Sequence, residues 1–137
     1  MSLFTCTSPV DNSCHASRPY ASDAEVSAAI GAARAAQREW RAQPIAVRAK
    51  FCSAFVDAML AMQEEIVPEL AWQMGRPVRY GAGELRGFEE RARYMIDIAG
   101  SALANVVPAE KQGFERYVTR DPLGVVLTVA PWNYPFL

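Results

Sequence analysis

A formal net charge of −1 over 137 residues gives this chain no electrostatic pull on nucleic acid or an anionic membrane surface. The length is room for one domain with a buried core, and 51% hydrophobic with 21% charged residues is an ordinary globular balance. No apolar run nears the ~18 residues of a membrane span, and the opening MSLFTCTSPV lacks the basic start and long apolar stretch of a secretory signal, so a cytoplasmic protein is expected.

Leu3 to Thr7 and residues 14–18 are short strand candidates, and Pro9-Val10-Asp11-Asn12-Ser13 between them is a loop signal, so the chain is expected to open with a hairpin. Ser22-Asp23-Ala24-Glu25 is a capping box, in which the serine hydroxyl accepts from the third helical N–H while the glutamate reaches back. The helix it opens carries Val26, Ile30, Ala33, Gln37 and Trp40 on one face. Pro44 suits the first position of a second helix, whose stripe is Phe51, Phe55, Met59, Met62 and Ile66. Pro68 is expected to interrupt it, and a shorter helix to run to Met74. Gly75 then suits the position just past a helix end, and Pro77 prevents continuation. A fourth helix is predicted over residues 83–103 with Leu85, Phe88, Ala92, Met95, Ile96 and Ala99 inward, and Glu89, Glu90, Arg91 and Arg93 as solvated surface charges.

Three cysteines, Cys6, Cys14 and Cys52, show no CxxC spacing, so neither a disulfide framework nor a metal site is expected. Cys6 and Cys14 could meet across the hairpin but should stay thiols in a reducing compartment, and Cys52 reads as a packing residue. The single histidine, His15, reads as a surface residue. The pairs Glu64-Glu65 and Glu89-Glu90 invite an acid–base reading, but neighbours on a helix point about 100° apart and do not converge on one atom.

From residue 113 to 120 the pattern turns strand-like, with Phe114, Arg116, Val118 and Arg120 alternating with Glu115, Tyr117 and Thr119. Neither face is cleanly apolar, which suits an exposed or interface-forming strand. Asp121-Pro122-Leu123-Gly124 is a turn signal. The uncharged, β-branched run at residues 125–130 suits a strand of a parallel α/β sheet, covered on both faces. Pro131 and Pro135 end it and enclose Trp132, Asn133 and Tyr134. Ligand sites in open α/β sheets lie beyond the carboxyl ends of strands, where a carboxamide can donate N–H bonds without titrating. From the residues alone, Asn133 reads first as a turn residue between two prolines, since Asn is common in turns.

The string PLGVV followed four residues later by PWNYP resembles the segment that opens the cofactor-binding domain of the NAD(P)-dependent aldehyde dehydrogenases. MGRPV at residues 74–78 resembles that family's helix-ending Gly-Lys-Pro segment, with Arg in place of Lys, and AARAAQREWRAQP at residues 32–44 resembles its first long helix. The resemblance implies an α/β fold, of which this stretch would supply a mainly helical part: a hairpin and helices over residues 1–112, a β arm over 113–123, and the first strand of the cofactor-binding sheet over 124–137. It implies NAD or NADP as cofactor and a small-molecule aldehyde as substrate, oxidised to the acid through a cysteine thiohemiacetal. Asn133 matches the residue whose amide binds the oxyanion of that adduct. Ala130, Pro131, Trp132 and Asn133 match the lining of the nicotinamide end of the cleft, and Tyr134 would face the substrate channel. The 113–120 arm would pair with a neighbouring subunit, giving a homo-oligomer.

The segments carrying the family's nucleophilic cysteine, general-base glutamate, adenosine-ribose lysine and pyrophosphate turn have no match in this sequence. An N-terminal fragment of such an enzyme, inactive in isolation, is therefore expected. The alternative is a non-catalytic helical interaction module derived from the same family, using the amphipathic helices and the Met-rich stripe for partner binding.

Overall fold

The computed structural model describes residues 2–136. Two strands, β1 (Leu3–Thr7) and β2 (Cys14–Pro19), form an antiparallel hairpin in the register Leu3↔Pro19 to Thr7↔Cys14, with an irregularity between Cys6 and Thr7. Its turn is closed by the fully buried Ser8. The Ser8 N–H donates to the Ser13 carbonyl at 2.8 Å, and Asn12 at φ 62° donates back to the Ser8 carbonyl at 2.9 Å.

Helix α1 (Asp23–Ala42) begins at the expected capping box: Glu25 N donates to Ser22 Oγ at 3.3 Å, and Ser22 N donates to Glu25 Oε2 at 2.8 Å. Helices α2 (Ile45–Ala61), α3 (Gln63–Met74) and α4 (Val78–Ala102) follow, with Pro44 just before α2 rather than inside it. The break expected at Pro68 falls instead at Met62, which caps both α2 and α3, while Pro68 lies within α3. A proline inside a helix costs about 3 kcal/mol, but its neighbours Ile66, Val67 and Leu70 are buried. Each such burial is worth about 1.5–3 kcal/mol, so the packed face carries the helix through the proline.

Helix α4 starts at Val78, five residues before the expected position. Gly81, in its first turns, serves packing. A Cβ there would stand 2.7 Å from Val67 Cγ1, so its absence lets α4 approach α3. The core is small. Ile66, Val67, Leu70 and Leu85 form it, with Met59, Leu60, Met74, Ala82 and Phe136 packed around it. The outer stripes of α1 and α2 do not join it: Val26, Ile30, Trp40, Phe51 and Phe55 are all exposed. Trp40 meets Phe51, and Phe55 meets Phe88, edge to face.

The expected arm and strand are present as extended chain without a sheet. Between residues 106 and 118 there are two isolated bridges, Val106↔Val118 and Lys111↔Phe114. The guanidinium of Arg120 donates to the Ala102 carbonyl at the end of α4, and that of Arg116 to the Ala109 carbonyl. Val126, Leu127 and Val129 are exposed and have no ladder partner among the described residues. A strand exists only by pairing, and local β preference does not supply the neighbour. No helix among the described residues is long and apolar enough to cross a membrane.

Candidate active site

The turn at residues 131–136 is held over the junction of α3 and α4 by one ion pair. Gly75, in the left-handed conformation at φ 75°, ends α3. A Cβ on it would stand 3.0 Å from Pro9 Cγ, so the hairpin turn also closes on this corner. The chain turns through Arg76 and Pro77 into α4, whose second turn presents Glu84. The Glu84 side chain is wholly buried and that of Arg76 nearly so, with Arg76 Nη2 3.2 Å from Glu84 Oε2.

Both partners then reach the motif. Arg76 Nη2 donates to the Asn133 main-chain oxygen at 2.8 Å. The same guanidinium lies over the Tyr134 ring, 4.5 Å from its centroid. The Phe136 N–H donates to Glu84 Oε1 at 3.0 Å, and the Phe136 ring packs on the core cluster. A buried carboxylate with one counter-ion is an unforgiving arrangement: removing either partner alone typically costs about 3–5 kcal/mol. Residues 133, 134 and 136 are thus each tied to the helical layer.

The residues singled out from sequence fall as follows. Ala130, Pro131, Trp132, Asn133 and Tyr134 are contiguous and exposed. Trp132 shows 77% of its surface. Asn133 is anchored through its carbonyl, and its carboxamide takes no hydrogen bond from the described residues. Tyr134 lines an open hollow of about 400 Å³ with Arg76, Tyr80, Gly83 and Glu84.

Arg76 and Glu84 are the functional candidates that sequence reasoning missed. Arg76 was visible only as a variant of a helix-ending motif. Glu84 had a signal: it stands among the inward positions of α4, beside Leu85, where a lone carboxylate needs a cation.

Other titratable groups lie elsewhere. His15, expected as an unattached surface residue, instead meets Glu69 at 2.9 Å and stacks on Trp72 with centroids 6.1 Å apart, tying the hairpin to α3. The Gln73 amide and then His15 hold the Glu69 carboxyl below its ordinary value. Cys52, expected in packing, is exposed; Cys6 and Cys14 are thiols as well. Glu89 is taken up with Arg93, which also meets Asp57 at 2.7 Å. The described residues contain no cluster of three or more His, Cys, Asp or Glu placed to hold a metal.

The family model for the aldehyde dehydrogenase family matches residues 2–137. This chain belongs to that family. Its NADP-dependent succinate-semialdehyde dehydrogenase relative from Mycobacterium avium is 36% identical over 118 residues, which is 84% of this chain and 25% of the relative. Among solved structures, PnpE in complex with nicotinamide adenine dinucleotide superposes with a TM-score of 0.88 at 29% identity, over 98% of this chain and 28% of PnpE. The NADP-dependent glyceraldehyde-3-phosphate dehydrogenase of Bacillus halodurans C-125, complexed with NADP, gives 0.86 at 28% identity, over 98% of this chain and 29% of that one. The helices and hairpin described above are thus a part of the aldehyde dehydrogenase fold. The chain spans about a quarter of the length of the curated relatives it matches.

Proposed function

We propose that this chain supplies the oxyanion-binding donor of an NAD(P)-dependent aldehyde dehydrogenase, and that Asn133 is that donor. The observation that carries the reading is the division of labour at Asn133: the carbonyl is committed to Arg76, while the carboxamide is uncommitted and exposed. A tethered backbone with an unengaged amide keeps the donor in place and its N–H groups available as charge develops.

In the reaction a cysteine thiolate adds to the aldehyde carbon, and the carbonyl oxygen becomes an alkoxide. The Asn133 side-chain N–H groups donate to that oxygen. Loss of hydride from the adduct gives a thioester, and water activated by a glutamate releases the acid. The cysteine and the glutamate belong to segments of the family that this sequence does not match.

NAD or NADP accepts the hydride when bound. Residues 130–133 fit that group. Trp132 offers a broad exposed ring, and the peptide groups of Ala130 to Trp132 make no hydrogen bonds with the described residues, leaving polar atoms for a carboxamide edge. Tyr134, at the rim of its hollow, would face the substrate.

In this reading residues 1–112 belong to the cofactor-binding domain, 113–123 form an arm, and 124–137 begin the sheet. The exposed Phe114, Tyr117 and Val118 of the arm support pairing with a second subunit.

The test is Asn133→Ala in the product of the native gene, assayed for aldehyde-dependent reduction of NAD(P)+. Turnover should fall by about 10²–10³-fold, the loss typical of one oxyanion donor, with KM for the aldehyde little changed. Unaltered turnover overturns the assignment, and absence of any turnover in the unmodified protein leaves the helical interaction module as the better reading.

A further inference from the structure

We infer that Arg76 and Glu84 are positioning residues for Asn133: a buried ion pair at the α3–α4 junction that sets where the donor amide stands. The inference rests on the oxyanion reading and extends it to two residues that touch neither substrate nor cofactor.

Three contacts carry it, on Asn133 and the residues just after it. Arg76 Nη2 holds the carbonyl of residue 133 itself, at 2.8 Å. The guanidinium face holds the next ring, Tyr134, at 4.5 Å. Glu84 Oε1 holds the N–H of residue 136 at 3.0 Å. Residues 124–132, upstream of residue 133, are exposed and have no ladder to fix them among the described residues. The seating of the motif therefore comes from its carboxyl-terminal side, through this pair.

The pair is itself buried. Glu84 has no solvent-exposed side-chain surface, and Arg76 keeps 14% of its own. Pro77 fixes the backbone just after Arg76. The bond from the Arg76 guanidinium to the Asn133 carbonyl is charge-assisted and directional. A displacement of one ångström at a reacting centre can cost about 10²-fold in rate, so a donor hung on this fork is sensitive to it.

Single charge deletion is a poor test, because a lone buried charge unfolds proteins. Arg76→Met combined with Glu84→Gln removes both charges and keeps an amide oxygen to accept from the Phe136 N–H. In the product of the native gene, this double variant should keep its unfolding midpoint within a few degrees and its KM for NAD(P)+. Its kcat should fall about 10- to 100-fold. Added to Asn133→Ala, the double change should lower kcat by much less than it does alone, since the pair seats the donor that is then already lost.

Hydrogen exchange gives a second reading independent of turnover: the Phe136 amide, which donates to Glu84 Oε1, should exchange faster in the double variant while those of α3 and α4 do not. Unchanged kcat in the double variant, or a loss fully additive with Asn133→Ala, overturns the inference while leaving the donor assignment intact. If Asn133→Ala itself leaves kcat unaltered, the oxyanion reading fails first. Unaltered exchange at the Phe136 amide overturns the seating independently of any activity.

Discussion

Replacing Gly81 with alanine sets two well-measured effects against each other at one atom. In a helix interior, alanine is better than glycine by about 1 kcal/mol, because glycine loses more backbone freedom on folding. At Gly81 the new methyl would stand 2.7 Å from Val67 Cγ1 and 3.2 Å from both Val67 Cβ and Cγ2. Those distances lie inside van der Waals contact. Val67 is β-branched, so on a helix it has essentially one rotamer and cannot swing aside. Relief must come from parting α3 and α4, and overpacking of this kind costs about 1–3 kcal/mol. The net expectation is a loss of about 1 kcal/mol after the propensity gain is subtracted.

Gly31 provides the control: it lies within α1 and a Cβ there meets nothing within 4 Å, so Gly31→Ala should gain up to about 1 kcal/mol. Urea unfolding followed by circular dichroism should therefore separate the two variants by about 2 kcal/mol, in opposite directions from the parent. Val67→Ala in the Gly81→Ala background should recover part of the loss, as a double-mutant cycle would register. If Gly81→Ala is as stable as Gly31→Ala, the close approach of α3 and α4 is not what keeps glycine there.

Ser22→Ala removes the hydroxyl half of the capping box and should destabilise the protein by about 1 kcal/mol in the same unfolding assay; no measurable change would mean that α1 does not depend on its cap. Glu69 is held below its ordinary 4.5 by Gln73 and His15, so its contribution is present above about pH 4.5 and is lost as pH falls through the lower folded value. Its side chain is about half exposed, which limits the contribution to under about 1 kcal/mol. Unfolding free energy measured from pH 6 to pH 3 should fall more steeply for the parent than for Glu69→Gln; equal slopes would show that the hairpin clamp contributes nothing.

What could be read from the sequence was what depends on near neighbours. The Ser22–Glu25 box, the left-handed Gly75 and the 8–13 turn each need only a few consecutive residues, and each is found where its local chemistry places it. Pro68 misled because the proline penalty is local while the burial that outweighs it is tertiary. The α2–α3 break at Met62 carries no glycine or proline signal at all. The start of α4 was expected five residues late, and nothing local to Gly81 reveals that another helix needs the space there. The site divides in the same way. The motif residues were legible as a contiguous string, whereas the Arg76–Asn133 and Glu84–Phe136 contacts span 57 and 52 positions and are visible only in three dimensions.

Two of the anchors on the motif are main-chain atoms, the oxygen of residue 133 and the nitrogen of residue 136. Every amino acid offers the first, and every one but proline offers the second. The seat is therefore indifferent to which side chain position 133 bears. Drift or selection could exchange the carboxamide for another group without unseating the loop, so the chemistry at that position is separable from the architecture that presents it. A lineage could change or silence the reaction in a single substitution and keep the scaffold whole.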